Sequence, residues 1–303
     1  MEEKTSLRAL RESASLYLEN VRKCYGPKVI LKDIDLAVKK GEFCSLVGPS
    51  GCGKSTLLRL ILGQEYVTSG TFLIGGKPVG PPDTTRGIVY QRYSLFPHLT
   101  VLQNVVLGLN LSCGLIDRFR MKKQFHDEAM RFLEEVELAD HSHKYPHELS
   151  GGMQQRVAIS QALIMKPELL LMDEPFGALD PGTREHMQIF LLGMWEKYKM
   201  TVFFVTHDLE EAVFLGTRIL VLSQYWSDGK TDVDGPGHGA RIVSDYPLAR
   251  RATSTAVKKS ADFGELIQKI RHDGFDPEYL QRVTDFDLRH PDSFQTLGES
   301  EAG

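Results

Sequence analysis

The sequence predicts an α/β fold: a mostly parallel sheet core with an antiparallel β subdomain and a helical insertion subdomain. Three observations carry this. Short apolar runs rich in β-branched residues alternate with helical periodicity, as in FCSLVG (43–48) followed by KSTLLRLILG. Ahead of them, SLYLENVRKCYG and ILKDIDLAVKKGE alternate in the manner of antiparallel strands. Between Tyr93 and about Met165 the strand runs stop, and amphipathic helical patterns replace them.

The elements follow in chain order. GIVYQ (87–91) closes the first part of the sheet, and FHDEAMRFLEEVEL (125–138) is the clearest helix of the insertion. ELLLMDE (168–174), TVFFVTH (201–207) and TRILVLS (217–223) are further buried strands. Between the first two, PGTREHMQIFLLGMWEKY gives a helix from Pro181 to Tyr198. QYWSDGKTDVDGPGHGA (224–240) is rich in glycine and aspartate and reads as a surface loop. RIV then predicts a short strand and ADFGELIQKIRHDG a closing helix, while the polar residues 285–303 are expected to fray. The expected organisation is one domain over 15–225, with its helical insertion at about 93–165, and an extension over 226–303.

Composition excludes several classes of function. The 303 residues have the apolar and charged fractions of a globular protein, and the net charge of −4 gives no basic field for nucleic acid. MEEKTSLRALRESAS is charged and lacks an apolar core, so it does not read as a signal peptide. No apolar run approaches bilayer length. The four cysteines (Cys24, Cys44, Cys52, Cys113) lack metal-ligand spacing and are expected as free thiols.

Two glycine-rich turns carry phosphate chemistry. GPSGCGKST (48–56) fits G-x-x-x-x-G-K-[ST] between a predicted strand and a predicted helix. Gly48, Gly51 and Gly53 let the backbone curl so that N–H groups face phosphate oxygens, and the helix behind adds its positive end. Lys54 should reach the β- and γ-phosphates and the Ser55 hydroxyl should ligate Mg²⁺. The alternative is a glycine-rich turn with no ligand. Cys52 reads as a spacer with an accessible, reactive thiol of lowered pKa. ELLLMDEP supplies carboxylates: Asp173 to hold Mg²⁺ and Glu174 as general base toward the attacking water. His207 ends a strand expected beside the γ-phosphate, though a lone histidine is often structural. The second turn, LSGGMQQR (149–156), raises the question of why one chain would need it.

GPSGCGKST, LSGGMQQR, LLLMDEPFGALD and VTHD, in this order, resemble the ATP-binding subunit of an ABC transporter over roughly residues 15–225. A phosphate loop alone would leave kinases and GTPases open. LSGGMQQR is specific to the family, and the guanine-reading N-K-x-D is missing. The resemblance implies the ABC ATPase fold, with ATP and Mg²⁺ as cofactors. It also implies two subunits sandwiching two ATP molecules head to tail. Ser150, Gly151 and Gly152 would then contact the γ-phosphate on the partner's loop, which explains the second turn. The whole stretch Gly48, Pro49, Ser50, Gly51, Cys52, Gly53, Lys54, Ser55 and Thr56 is implied as nucleotide-binding. Tyr25 matches the aromatic that stacks on adenine, with a core aromatic as the alternative. Gln91 matches the glutamine that contacts Mg²⁺ and the attacking water, and Asp180 the loop that crosses the dimer interface.

One ATPase domain without a membrane segment resembles bacterial importers. The implied partners are a second copy or a homologous ATPase subunit, integral membrane permease subunits and a solute-binding protein. Nucleic acid is not implied. The implied location is the cytoplasmic face of the cell membrane. THDLEEAVFLGTRILVLS and ARIV are similar to the nitrate, sulfonate and taurine group, whereas YSLFPHLTV looks like polyamine, sugar or amino-acid importers. The solute stays open. The alternative class is a soluble member of the family, acting as an ATP-gated clamp in nucleic-acid or ribosome work.

Overall fold

In the computed structural model, residues 11–91, 94–227, 239–248, 258 and 260–282 are described. The chain forms two compact units, Met1–Pro82 with Lys199–Gly303, and Asp83–Tyr198.

The first unit holds two sheets. Strands β1 (Leu16–Tyr25), β2 (Lys28–Val38), β4 (Ser69–Ile74) and β5 (Lys77–Pro78) form an antiparallel sheet in the order β2-β1-β4-β5. The predicted pair is β1 and β2; β4 and β5 are additions the alternation did not single out. The second sheet runs β11 (Arg241–Pro247), β9 (Arg218–Ser223), β3 (Phe43–Val47), β8 (Thr201–Val205). β3 is parallel to both β8 and β9, and all three are buried along their whole length. This is why they read as continuous apolar runs, not as alternation. Helix α1 (Lys54–Leu62) follows β3, as predicted.

The second unit contains the parallel pair β6 (Arg86–Val89) and β7 (Leu169–Asp173), then helices α2 (Val101–Leu111), α3 (Leu115–Glu135), α4 (Gly151–Leu163) and α5 (Pro181–Tyr198). α2 opens on a capping box in which Thr100 and Gln103 satisfy each other's backbone N–H groups. α3 begins ten residues before the predicted helix start at 125 and ends three residues short of 138. Its first turns leave Ile116 and Phe119 each 85% exposed, so the apolar residues there are not marks of a buried face. It stops at Glu135 because Glu137 takes the left-handed conformation (φ 59°), and Leu138 N–H then bonds the Leu133 carbonyl at 2.7 Å.

The stretch 224–240 departs from a simple surface loop where it is described. Trp226 is buried, donates from Nε1 to the Gly239 carbonyl at 3.0 Å, and opens β10 (Trp226–Ser227). β10 pairs in parallel with β12 (Gln281–Arg282). Ala240 is buried, its N–H bonds the Ile30 carbonyl at 2.8 Å, and its carbonyl accepts from Lys32 N–H at 2.9 Å. Residues 228–238 and the tail 285–303 lie outside the described residues. The predicted late strand and helix are both present, as β11 and α7 (Ala261–Phe275). A buried Arg218 ties β9 to β11 by donating twice to Asp245, and reaches the Ala37 carbonyl at 2.7 Å. The short helix α6 (Leu209–Leu215) lies between β8 and β9.

Candidate functional site

Within the first unit, register brings two of the predicted groups to one edge. β3 and β8 are parallel neighbours with Leu46 opposite Val205, so the 48–56 loop and His207 leave the sheet at the same, C-terminal end. The Thr206 N–H bonds the Leu46 carbonyl at 3.2 Å, which holds the two exits side by side. Ligands of open α/β sheets bind at this edge.

The loop's glycines serve different needs. Gly51 and Gly53 sit at φ 78° and 109°, where a side chain is strained. Gly48 is needed for another reason: a Cβ there would stand 2.1 Å from the Leu222 carbonyl oxygen. The loop can therefore curl only because one glycine lies flat against β9 and two others turn. Lys54, buried, donates from Nζ to the Gly48 and Pro49 carbonyls at 2.6 and 2.9 Å. Its ammonium thus lies inside the curve of the loop, at the start of α1. Pro49 and Ser50 belong to the loop, and Ser55 and Thr56 to the first turn of α1.

A device around His207 escaped the sequence reading. The Thr206 hydroxyl donates to the buried Glu211 carboxylate at 2.9 Å and accepts from Asp208 N–H at 3.0 Å. Asp208 caps α6 by accepting from the N–H groups of Glu210 and Glu211. His207 is held between two residues fixed on both sides. The signal was present as T-H-D-x-x-E, a cap followed three residues later by glutamate.

Within the second unit the same logic repeats. β6 and β7 are parallel with Val89 opposite Met172, so Gln91, Asp173 and Glu174 leave at one end. The Gln91 amide lies against the turn after β7: a Cβ on Gly177 would be 3.2 Å from its Nε2. Glu174 holds φ 46°, an uncommon conformation for a non-glycine residue. Such strain concentrates where a side chain must be aimed. Ser150 caps α4, its hydroxyl accepting from Met153 N–H at 3.4 Å, and it is exposed. Gly151 and Gly152 follow as the first helical residues. Gly152 must be small, since a Cβ would stand 2.6 Å from Thr183 Cγ2. Asp180 accepts from Thr183 N–H at 3.0 Å, and that bond keeps its carboxyl below the usual range.

The ABC transporter family model matches residues 31–177. The nitrate import ATP-binding protein NrtD of Synechocystis sp. is 50% identical over 199 residues, 65% of this chain and 72% of that protein. The chain belongs to the ABC transporter family. The aliphatic sulfonates import ATP-binding protein SsuB of Bacillus subtilis is 43% identical over 237 residues, covering 77% and 89% of the two chains. Among solved structures, cbiO1 from Clostridium perfringens, part of the transporter complex cbiONQ, superposes with TM-score 0.66 at 25% identity, over 86% of this chain and 95% of that one. The dimeric bacterial ABC transporter cassette MJ0796 gives TM-score 0.61 at 34% identity, over 78% and 99%. The α/β fold is that of an ABC ATPase, and the chain is an ATP-binding ATPase of the importer type. No helix among the described residues is long and apolar enough to cross a membrane.

At this ABC ATPase's first strand one alternative drops out, and at its loop one sequence expectation changes. Tyr25 is not a core aromatic: it is 42% exposed, and its hydroxyl donates to Glu65. Cys52 is not an accessible thiol. It is 2% exposed, and burial pushes its pKa up despite the nearby Lys54 ammonium. The sequence reading counted the backbone N–H groups and the helix start but could not see that the side chain turns inward, with its sulfur 3.0 Å from where a Gly48 Cβ would sit. Native protein treated with a small iodoacetamide at neutral pH should therefore label Cys24 and Cys113, both part-exposed, before Cys52. The expected lag at Cys52 is roughly tenfold or more, because the thiolate is the reacting form. Labelling of Cys52 first, measured by peptide mass spectrometry, would refute its burial.

Among the described residues no group of three His, Cys, Asp or Glu side chains is poised for a metal. Within the second unit Gln91 and Asp173 offer one amide oxygen and one carboxylate, and within the first unit Ser55 offers a hydroxyl.

Proposed function

We propose that this protein powers solute import by ATP-gated head-to-tail association with a second ATPase subunit. Its motion would be coupled to separate integral membrane permease subunits at the cytoplasmic face of the membrane. The observation that carries the reading is that the chain has two phosphate-type helix starts in different units. One is α1 behind the 48–56 loop; the other is α4 behind the exposed Ser150. One nucleotide per chain needs the second start only if it serves a neighbour's ATP.

In this reading Lys54 neutralises the β- and γ-phosphates while loop N–H groups hold them. Ser55, Gln91 and Asp173 would hold Mg²⁺, which offsets charge on the phosphate oxygens. Glu174 takes the proton of the attacking water, Gln91 orients that water, and His207 donates toward the γ-phosphate. Ser150, Gly151 and Gly152 of the partner close the site, Asp180 lies at the interface, and Tyr25 stacks on adenine. The named relatives are nitrate and aliphatic-sulfonate import proteins, so a small oxyanion is the solute class to try first, delivered by a solute-binding protein.

The test is to extract membranes in mild detergent with a tagged chain and identify what co-purifies. A multi-span permease whose presence stimulates ATP turnover is the expected result. Recovery of ribosomal or nucleic-acid partners, with no membrane chain, would overturn the import reading in favour of a soluble clamp.

A further inference from the structure

Behind Tyr25, three side chains converge on one carboxylate. Glu65 accepts from the Tyr25 hydroxyl, pairs with Arg59 Nε at 2.8 Å and with Lys23 Nζ at 3.0 Å. Lys23 is a buried lysine that also donates to the Tyr66 carbonyl at 2.9 Å, and its Nζ stands 4.8 Å from the centroid of the Tyr25 ring. The backbones beneath are tied as well. Cys24 N–H bonds Thr68 Oγ1 at 2.9 Å, and Thr68 N–H bonds the Arg22 carbonyl at 2.8 Å. The end of β1 and the segment after α1 are thus one fixed platform.

A tyrosine this exposed would ordinarily change rotamer on the picosecond to nanosecond scale. Here its hydroxyl is pinned at one end and a cation lies over the ring, an arrangement favoured by the negative charge of the π face. The donors around Glu65, the Tyr25 hydroxyl foremost, hold its carboxyl below the usual range, so it stays an acceptor at neutral pH.

We infer that Glu65 and Lys23 are positioning residues that hold the Tyr25 ring ready for the adenine of ATP, Lys23 backing one face while the base takes the other. This rests on the reading of Tyr25 as the adenine-stacking residue. Fixing the ring beforehand removes an ordering cost from binding and leaves the phosphate chemistry untouched.

The experiment compares ATP with tripolyphosphate, which has the phosphates and no base. Glu65→Ala should raise KM for ATP about three- to tenfold, a part of what losing a base–aromatic stack costs. It should keep kcat and leave competitive inhibition by tripolyphosphate unchanged. Tyr25→Phe, which keeps the ring and loses the hydroxyl, should act in the same direction. The Glu65→Ala/Tyr25→Phe double variant should be little worse than Glu65→Ala, because both remove one interaction. Tyr25→Ala should raise KM further. If Glu65→Ala weakens ATP and tripolyphosphate equally, Glu65 supports the loop and not the ring, and the inference falls. If Tyr25→Ala raises KM while Glu65→Ala does not, positioning is overturned and the Tyr25 reading stands. If Tyr25→Ala leaves KM unchanged, both fall together.

Discussion

Glu174→Gln is expected to bind ATP and to hydrolyse it about 10²- to 10⁴-fold more slowly than the parent chain, the usual range for losing a positioned base. The substitution changes little else. Glutamine fills the same space, and the left-handed backbone at 174 (φ 46°) is equally uncommon for either residue. What it removes is the charge proposed to accept a proton from water. The same change reduces repulsion between this position and the γ-phosphate, so the ATP-bound state should persist. On size exclusion with Mg-ATP the variant should run as a dimer where the parent chain, turning ATP over, does not accumulate one. Measuring phosphate release and elution volume on one preparation checks both halves of the expectation. Near-normal turnover in the purified variant would remove Glu174 from the role of base and would leave its strained backbone without a catalytic reason.

A larger effect in the opposite direction is expected from mixing two inactive chains. Lys54→Ala loses the ammonium inside the phosphate loop, and Ser150→Arg puts bulk on the exposed cap of α4. If each ATP lies between one chain's loop and the other chain's α4, each homodimer has two broken sites. In a mixed dimer the loop of the Ser150→Arg chain faces the intact α4 of the Lys54→Ala chain. That pair has every part, and the opposite pair has neither. Mixing should therefore restore ATP-induced association and part of the turnover, from almost none to as much as about half the parent rate per dimer if the sites fire independently. Strong coupling between sites would suppress turnover but not ATP binding at the complete site, so both are measured, with tags confirming the mixed dimer. If verified mixed dimers recover neither, Ser150 does not serve a neighbour's nucleotide.

The buried strands and their order along the chain were legible because burial on both faces writes itself as short apolar runs. β3, β7, β8 and β9 all fall within a residue or two of FCSLVG, ELLLMDE, TVFFVTH and TRILVLS. The loop residues were legible for a similar reason. Curling a backbone around phosphate demands glycine at particular positions, and the demand is local. By itself, then, the sequence determined the fold class and the family, and it named the candidate groups for the chemistry.

Only the tertiary structure decided which way those groups face and what holds them. Cys52 turns inward and Tyr25 outward, and no local pattern separates the two outcomes, because each depends on what packs from elsewhere in the chain. Gly48 is required by the Leu222 carbonyl, a contact across more than 170 residues that composition could not hint at. β10 and β12 are two-residue strands, too short for any periodicity, and pair from distant parts of the chain with Trp226 opposite Gln281. The first turns of α3 leave Ile116 and Phe119 exposed, so burial of those side chains does not set where the helix begins. The carboxylates of Glu211, which accepts from Thr206, and Glu65, which accepts from Tyr25, belong to the same class. A carboxylate in sequence is one charge among many; it becomes a positioning group only when the fold gathers donors around it from separate segments.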